Sequence, residues 1–249
     1  MIKVKQNKYD DDVFFDKYSN MSRSKNGLEG AGEWHELKKM LPNFKDKRVL
    51  DLGCGFGWHC RYAVENGAKS VIGIDISQKM LSEAKNKTKC GNIEYICMPI
   101  EDIDFPEESF EVVISSLALH YIKSFEDVLD RVYKCLSTGG DFVFSVEHPI
   151  FTAQGPQDWY YDDKGNILHW PVDHYFTEGI RNAKFLGEEV IKYHRTLTTY
   201  LNSLIKIGFE ITDVVEPKPA ENMLNTVPGM RDELRRPMML LVSARKKLY

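Results

Sequence analysis

Three glycines at alternate positions, Gly53, Gly55 and Gly57, follow the apolar run Val49-Leu50-Asp51-Leu52 and precede a helical pattern. At a strand-to-helix turn such glycines let the backbone bend tightly and let a ligand approach without a Cβ in the way. The helix behind them offers free N–H groups. The chemistry this suits is binding of a nucleotide-like ligand at the carboxyl edge of a sheet. Spacing narrows the ligand. A dinucleotide fingerprint, G-x-G-x-x-G counted from Gly53, needs a third glycine where Trp58 stands. The lead acid, Asp51, suits a ligand that carries positive charge and suits a pyrophosphate poorly. Asp75 ends the next apolar run, where a carboxylate accepts hydrogen bonds from ribose hydroxyls. Its competing role is that of a helix-start residue.

With Asp51 at its head, the loop resembles the D/E-x-G-x-G-x-G motif of class I S-adenosylmethionine-dependent methyltransferases. The stretch from Met98-Pro99-Ile100-Glu101-Asp102 to Phe110-Glu111 is similar to the family segment that passes the adenine edge. It departs from that segment at Pro99, which replaces the acid that bonds the adenine amino group. Ile100 still offers its N–H and an apolar face, and Glu101 takes the polar role. Thr138-Gly139-Gly140 resembles the turn before the family's fifth strand. The resemblance covers 49–146 and fits best the small-molecule subgroup known as type 11.

It implies S-adenosyl-L-methionine as cofactor, S-adenosyl-L-homocysteine as product, and no metal. The cofactor residues it implies are Asp51, Gly53, Cys54, Gly55 and Gly57 in the loop, and Asp75, Ile76 and Met80 after the second strand. Ile100 and Glu101 belong to the adenine edge, and Ser115 would bring its backbone to the methionine part. In the N-terminal segment, Tyr18 is expected to cover the methionine end and Arg23 to pair with its carboxylate. The competing role of Phe14, Phe15 and Tyr18 is an apolar helix stripe. Trp34 and His35 are expected to pack in the core.

On the acceptor side, Ser115-Ser116-Leu117-Ala118-Leu119-His120-Tyr121 follows the fourth strand. His120 is the expected general base, taking a proton from an acceptor hydroxyl or amine; otherwise it shapes the pocket wall. Trp159, Tyr175 and Arg195 are the expected acceptor-binding residues, two from an aromatic stretch and one able to hold an acidic group. The competing role of that stretch is a homodimer interface or a satellite core. Arg235-Arg236 reads as an exposed pair, and Trp58 and His59 as packing or solvent-facing residues.

These residues need elements to hold them. Apolar runs at Arg48–Leu52, Ser70–Asp75, 93–98, 110–115 and 141–147 read as strands. Helices are expected over 56–66, from Ser77 to about 87, and over 125–136. Strand–helix alternation implies right-handed βαβ units and a parallel sheet. From 148 to about 190 no clean period appears. A helix over 193–207 and two strands, 209–216 and 238–245, close the chain. The expected fold is α/β. It is a Rossmann-like, doubly wound, mostly parallel seven-stranded sheet with an antiparallel last strand, helices on both faces and an aromatic lid after the fifth strand. One domain is expected, divided into N-terminal covering helices (1–45), cofactor core (46–147), lid (148–192) and C-terminal helix and strands (193–249).

Of the 249 residues, 43% are hydrophobic and 28% charged, ordinary for a soluble globular protein. No apolar run reaches bilayer length, and the polar start lacks a signal-peptide core, so a cytoplasmic location is expected. The five cysteines form no C-x-x-C pair and read as reduced thiols. A net charge of −4 makes a nucleic-acid partner unlikely. The reading is methyl transfer to an O, N or S atom of a small organic molecule. The alternatives are a methyltransferase acting on RNA or protein, a nicotinamide-dependent oxidoreductase, and a cofactor-binding regulator.

Overall fold

The computed structural model describes residues 5–247. Helices α1 (Asp12–Ser19), α2 (Ser22–Lys25) and α3 (Trp34–Met40) precede the core. The core runs β1 (Arg48–Leu52), α4 (Trp58–Glu65), β2 (Ser70–Asp75), α5 (Gln78–Lys87), β3 (Ile93–Cys97), β4 (Phe110–Ser116), α6 (Phe125–Cys135) and β5 (Leu136–Glu147). The insert holds α7 (Pro149–Thr152), β6 (Tyr160–Tyr161), β7 (Ile167–His169), β8 (Gly179–Phe185) and β9 (Glu188–His194). The chain closes with α8 (Leu197–Ile207), β10 (Phe209–Val215), α9 (Glu221–Thr226) and β11 (Met239–Lys246).

The main sheet has seven strands in the order β10-β11-β5-β4-β1-β2-β3. β1 pairs in parallel with both β2 and β4, and β11 runs antiparallel to both β5 and β10. Period-2 side chains sort onto the two faces. Leu50, Leu52, Ile74, Phe142 and Phe144 pack with α6 and α8 through Phe125, Val128, Leu129 and Tyr200. Val49, Val71, Val112 and Ile114 pack with α4 and α5 through Cys60, Ala63, Leu81 and Ala84. Among the described residues no helix is long and apolar enough to cross a membrane.

Outside the core the structure corrects several expectations. The stretch after 148 is structured: β6 pairs with β7, and β8 with β9 over seven registers. The helix expected over 193–207 begins only at Leu197, where Thr196 accepts a hydrogen bond from the Thr199 N–H as an N-cap. His194 instead ends β9. β5 starts earlier than expected, because Leu136 already pairs with Phe110. Arg236 is not exposed. It is 8% exposed, and its guanidinium lies 3.9 Å over the Trp170 ring and close over Phe151 and Trp159.

Candidate active site

At the carboxyl ends of β1, β2, β4 and β5 lies a cavity of about 1370 Å³. Its floor is the glycine loop. The Gly53 and Cys54 N–H groups both donate to the Ile74 carbonyl, at 2.9 and 2.8 Å. Gly53 has φ +74°, and a Cβ there would meet the Ala118 Cβ at 2.5 Å. Gly57 is a packing glycine: a Cβ would lie 2.2 Å from the Tyr95 hydroxyl, at φ +70°. The Asp75 carboxylate accepts from the Gly55 N–H and the Ser77 N–H, each at 2.9 Å. It therefore ties the loop to the start of α5, and the helix-start role read from the sequence is realised. Each oxygen keeps lone-pair capacity beyond that one bond. Burial pushes its pKa up to about 6.

Of the residues the sequence singles out, Gly53, Cys54, Gly55, Asp75, Ile76, Met80, Ile100, Glu101, Tyr18, Arg23 and His120 line the cavity. Asp51, Gly57 and Ser115 lie behind its wall. The Ser115 hydroxyl donates to the Leu52 carbonyl at 2.9 Å. Asp51 is buried on β1, where its Oδ2 is 3.2 Å from the Cys60 Sγ and its Oδ1 has no partner among the described residues. Burial pushes its pKa up to about 7. Arg23 donates to the deeply buried Glu33 at 2.5 Å, which accounts for one donor of its fork. Among the described residues no group of three or more His, Cys, Asp or Glu side chains is placed to hold a metal ion.

The three expected acceptor-binding residues are not brought to the cavity. Trp159 stacks edge-on against Trp170 beneath Arg235 and Arg236. The Tyr175 hydroxyl accepts from the Leu197 N–H at 3.1 Å. Arg195 is buried, donates to the Ile122 and Lys123 carbonyls, and sits over the Phe125 and Tyr200 rings. It fastens the loop after β4 to α8.

Other residues take their place. Trp58 and His59, expected to pack or face solvent, line the cavity, and the buried Trp58 indole N–H has no partner among the described residues. Leu117, at φ +52°, turns the chain after β4 and donates to the Ser145 carbonyl at 2.9 Å. The hairpin β8–β9 lines one side of the cavity with Phe185, Val190 and Lys192. The N-terminal segment closes the rest. Tyr9 packs edge-on against Tyr18 at 5.1 Å and reaches the Tyr121 hydroxyl at 3.4 Å. Asp10 caps the start of α5, accepting from the Ser77 hydroxyl at 2.5 Å and the Lys79 N–H at 3.1 Å. Gln6 exchanges two hydrogen bonds with the Ile191 backbone of β9.

A charged cluster forms one wall. The buried Lys192 ammonium donates to Glu147 Oε1 at 2.5 Å and to Gln157 Oε1 at 2.8 Å. The Gln157 amide donates to Glu147 Oε2 at 2.7 Å. His120 Nδ1 accepts from the Glu147 backbone N–H at 3.4 Å, and its Nε2 lies 4.0 Å from Glu147 Oε1. Burial pushes the His120 pKa down to about 4, so the ring is neutral at physiological pH. With Nδ1 accepting, the neutral ring carries its proton on Nε2. Of this wall the sequence singled out only His120; Lys192 lies on a strand that the sequence did not reveal.

The model of the methyltransferase-domain family matches residues 50–144. An S-adenosylmethionine-dependent methyltransferase of Mesorhizobium loti has 45% sequence identity and a TM-score of 0.82, covering 88% of this chain and 100% of its own. A protein of Listeria monocytogenes, described in the same terms, has 60% identity and a TM-score of 0.85, covering 89% of this chain and 100% of its own. An uncharacterized protein of Haemophilus influenzae is 37% identical, with 96% of each chain covered.

Proposed function

Because the chain belongs to the S-adenosylmethionine-dependent methyltransferases, we propose that it moves a methyl group, by in-line displacement, to an O, N or S atom of a small organic molecule held in the roofed cavity. The size of the cavity carries this reading. The cavity's 1370 Å³ exceeds the roughly 300–1,000 Å³ usual for one small ligand, which leaves room for a cofactor and a second small molecule under one roof. A net charge of −4 favours a small acceptor over a nucleic acid.

The residues present fit the cofactor. The loop at Gly53 and Gly55 keeps Cβ atoms out of its path, and Asp75 keeps lone pairs for ribose hydroxyls. Ile100 gives an apolar wall for adenine, while the remaining donors of Arg23 and the unpartnered Trp58 N–H suit a carboxylate. When bound, S-adenosyl-L-methionine supplies an electrophilic methyl group on a sulfonium and departs as S-adenosyl-L-homocysteine. The chain's own part is positioning. Alignment of nucleophile and methyl carbon is the main source of acceleration in such a transfer, and the roof of 5–25 and β8–β9 keeps water from competing. The test is a methyl-transfer screen against a metabolite library, read as S-adenosyl-L-homocysteine release. Transfer to one or a few small molecules is expected; release only with RNA or protein added would overturn the proposal.

A further inference from the structure

The wall made by His120, Glu147, Gln157 and Lys192 is expensive to build. Lys192 is 1% exposed and the Glu147 side chain 15%, so the ammonium loses its hydration and the carboxylate most of it. Such a pair contributes little to stability compared with apolar residues of the same shape. Its members come from separate places: Glu147 stands at the carboxyl end of β5, Gln157 lies in the insert, and Lys192 is on β9 of the roof hairpin. All four line the cavity. The carboxylate has four lone-pair sites, of which Lys192 and Gln157 occupy one on each oxygen. His120, by contrast, has nothing left to accept with. Its Nδ1 lone pair faces the Glu147 N–H, and its Nε2 already carries the proton.

We infer that Glu147 is the catalytic group that receives the acceptor's proton, that Lys192 and Gln157 position its carboxylate, and that the acceptor is a neutral protic nucleophile: an alcohol, phenol, amine or N–H heterocycle. This rests on the small-acceptor reading. In the step, the acceptor's lone pair forms the new bond to the methyl carbon as the carbon–sulfur pair returns to sulfur, and the acceptor's proton passes to a Glu147 oxygen. The sulfonium charge and the carboxylate charge vanish together, and the proton leaves later to solvent. A weak base suffices, because that proton turns acidic only as the new bond forms. Burial opposes ionisation of Glu147. The neighbouring His120, the Lys192 ammonium and the Gln157 amide more than offset it, so the carboxyl titrates below its ordinary value. A carboxylate acceptor has no proton to give and would face the Glu147 charge.

The test pairs a panel of small alcohols, phenols, amines and N–H heterocycles, with carboxylates as contrast, against wild type and variants. Glu147→Gln alone leaves Lys192 buried without its partner and risks misfolding, so Glu147→Gln is combined with Lys192→Met. The expected double variant melts near wild type, binds S-adenosyl-L-methionine within about twofold by calorimetry, and loses roughly 10²–10⁴-fold in kcat at pH 7. Its rate then climbs about tenfold per pH unit as the acceptor ionises by itself. Lys192→Met alone is expected to shift the acid limb of the wild-type pH profile upward, since Glu147 loses the cation that keeps it charged. A double variant as active as wild type would make the pair a mere tie between insert and core and overturn the inference, as would preferred methylation of carboxylates or an unmoved acid limb. If only RNA or protein takes the methyl group, the small-acceptor reading falls, and the double variant assayed on that polymer decides Glu147 separately. No transfer to any acceptor overturns both.

Discussion

Asp75 does two jobs with one carboxylate. It holds the glycine loop through the Gly55 N–H and the start of α5 through the Ser77 N–H, and it faces the cavity. Asp75→Ala is therefore expected to weaken S-adenosyl-L-methionine binding by about 1.5–3 kcal/mol, the worth of a hydrogen bond to a charged group. Calorimetry reads this as a ten- to hundredfold rise in Kd, and an unchanged Kd would contradict the ribose assignment. At this scale the sequence was readable for place: Gly53, Gly55 and Asp75 stand at the cavity where their types suggested. It misled where one type serves two purposes. Gly57 belongs to the same motif, yet the Tyr95 hydroxyl fills the place of its Cβ, so its duty is packing. Arg195 and Tyr175 carry groups suited to a ligand, but backbone carbonyls and an N–H claim them.

The elements of the core were legible because each strand is a short apolar run and each helix has its stop or cap. Those of the roof were not, and β9 shows why. Its Val190, Lys192 and His194 are buried while Glu189 and Ile191 are exposed, a clean period of two. Two of the three in-facing positions are polar, so hydropathy hides the period. The turn before it is equally quiet, since Leu186 and Gly187 both take positive φ without the Asn-Gly signature of such turns. This hairpin and the N-terminal helix form one unit: Phe14 of α1 packs with Ala183 and Val190, flanked by Tyr9, Phe185 and Leu186. Phe14→Ala removes the centre of that cluster, at a cost of about 3–5 kcal/mol if the roof is tightly coupled to the whole. Hydrogen exchange in Phe14→Ala is expected to quicken jointly over 5–25 and 179–194, while β1, β4 and β5 stay protected. Quickening in α1 alone would mean that the two segments close independently.

Across the whole molecule, one costly placement is that of Asp51, which is 1% exposed. It sits on β1, an interior strand of the sheet, paired across to Gly73 of β2 and Ile114 of β4, and its Oδ1 has no partner among the described residues. The core folds around a carboxyl that burial moves from its ordinary 3.8 up to about 7. The sign of the consequence follows from the direction of that shift. Between the two values the folded chain binds a proton that the unfolded chain has released, so stability falls as pH rises. The contribution is complete below 3.8, is lost through about pH 7, and is flat above. Its steepest slope is about 1.4 kcal/mol per pH unit, a few degrees in Tm for a chain of this size. Depressed carboxyls such as Glu147 and Glu178 lose their stabilisation in the acid direction and mask this trend in wild type alone. The difference between Asp51→Asn and wild type isolates it. In ligand-free protein, that difference in unfolding free energy is expected to move in favour of Asp51→Asn from pH 4.5 to pH 7 and then level off. A difference independent of pH would show that Asp51 is charged in the folded protein throughout, with its Oδ1 reached by water.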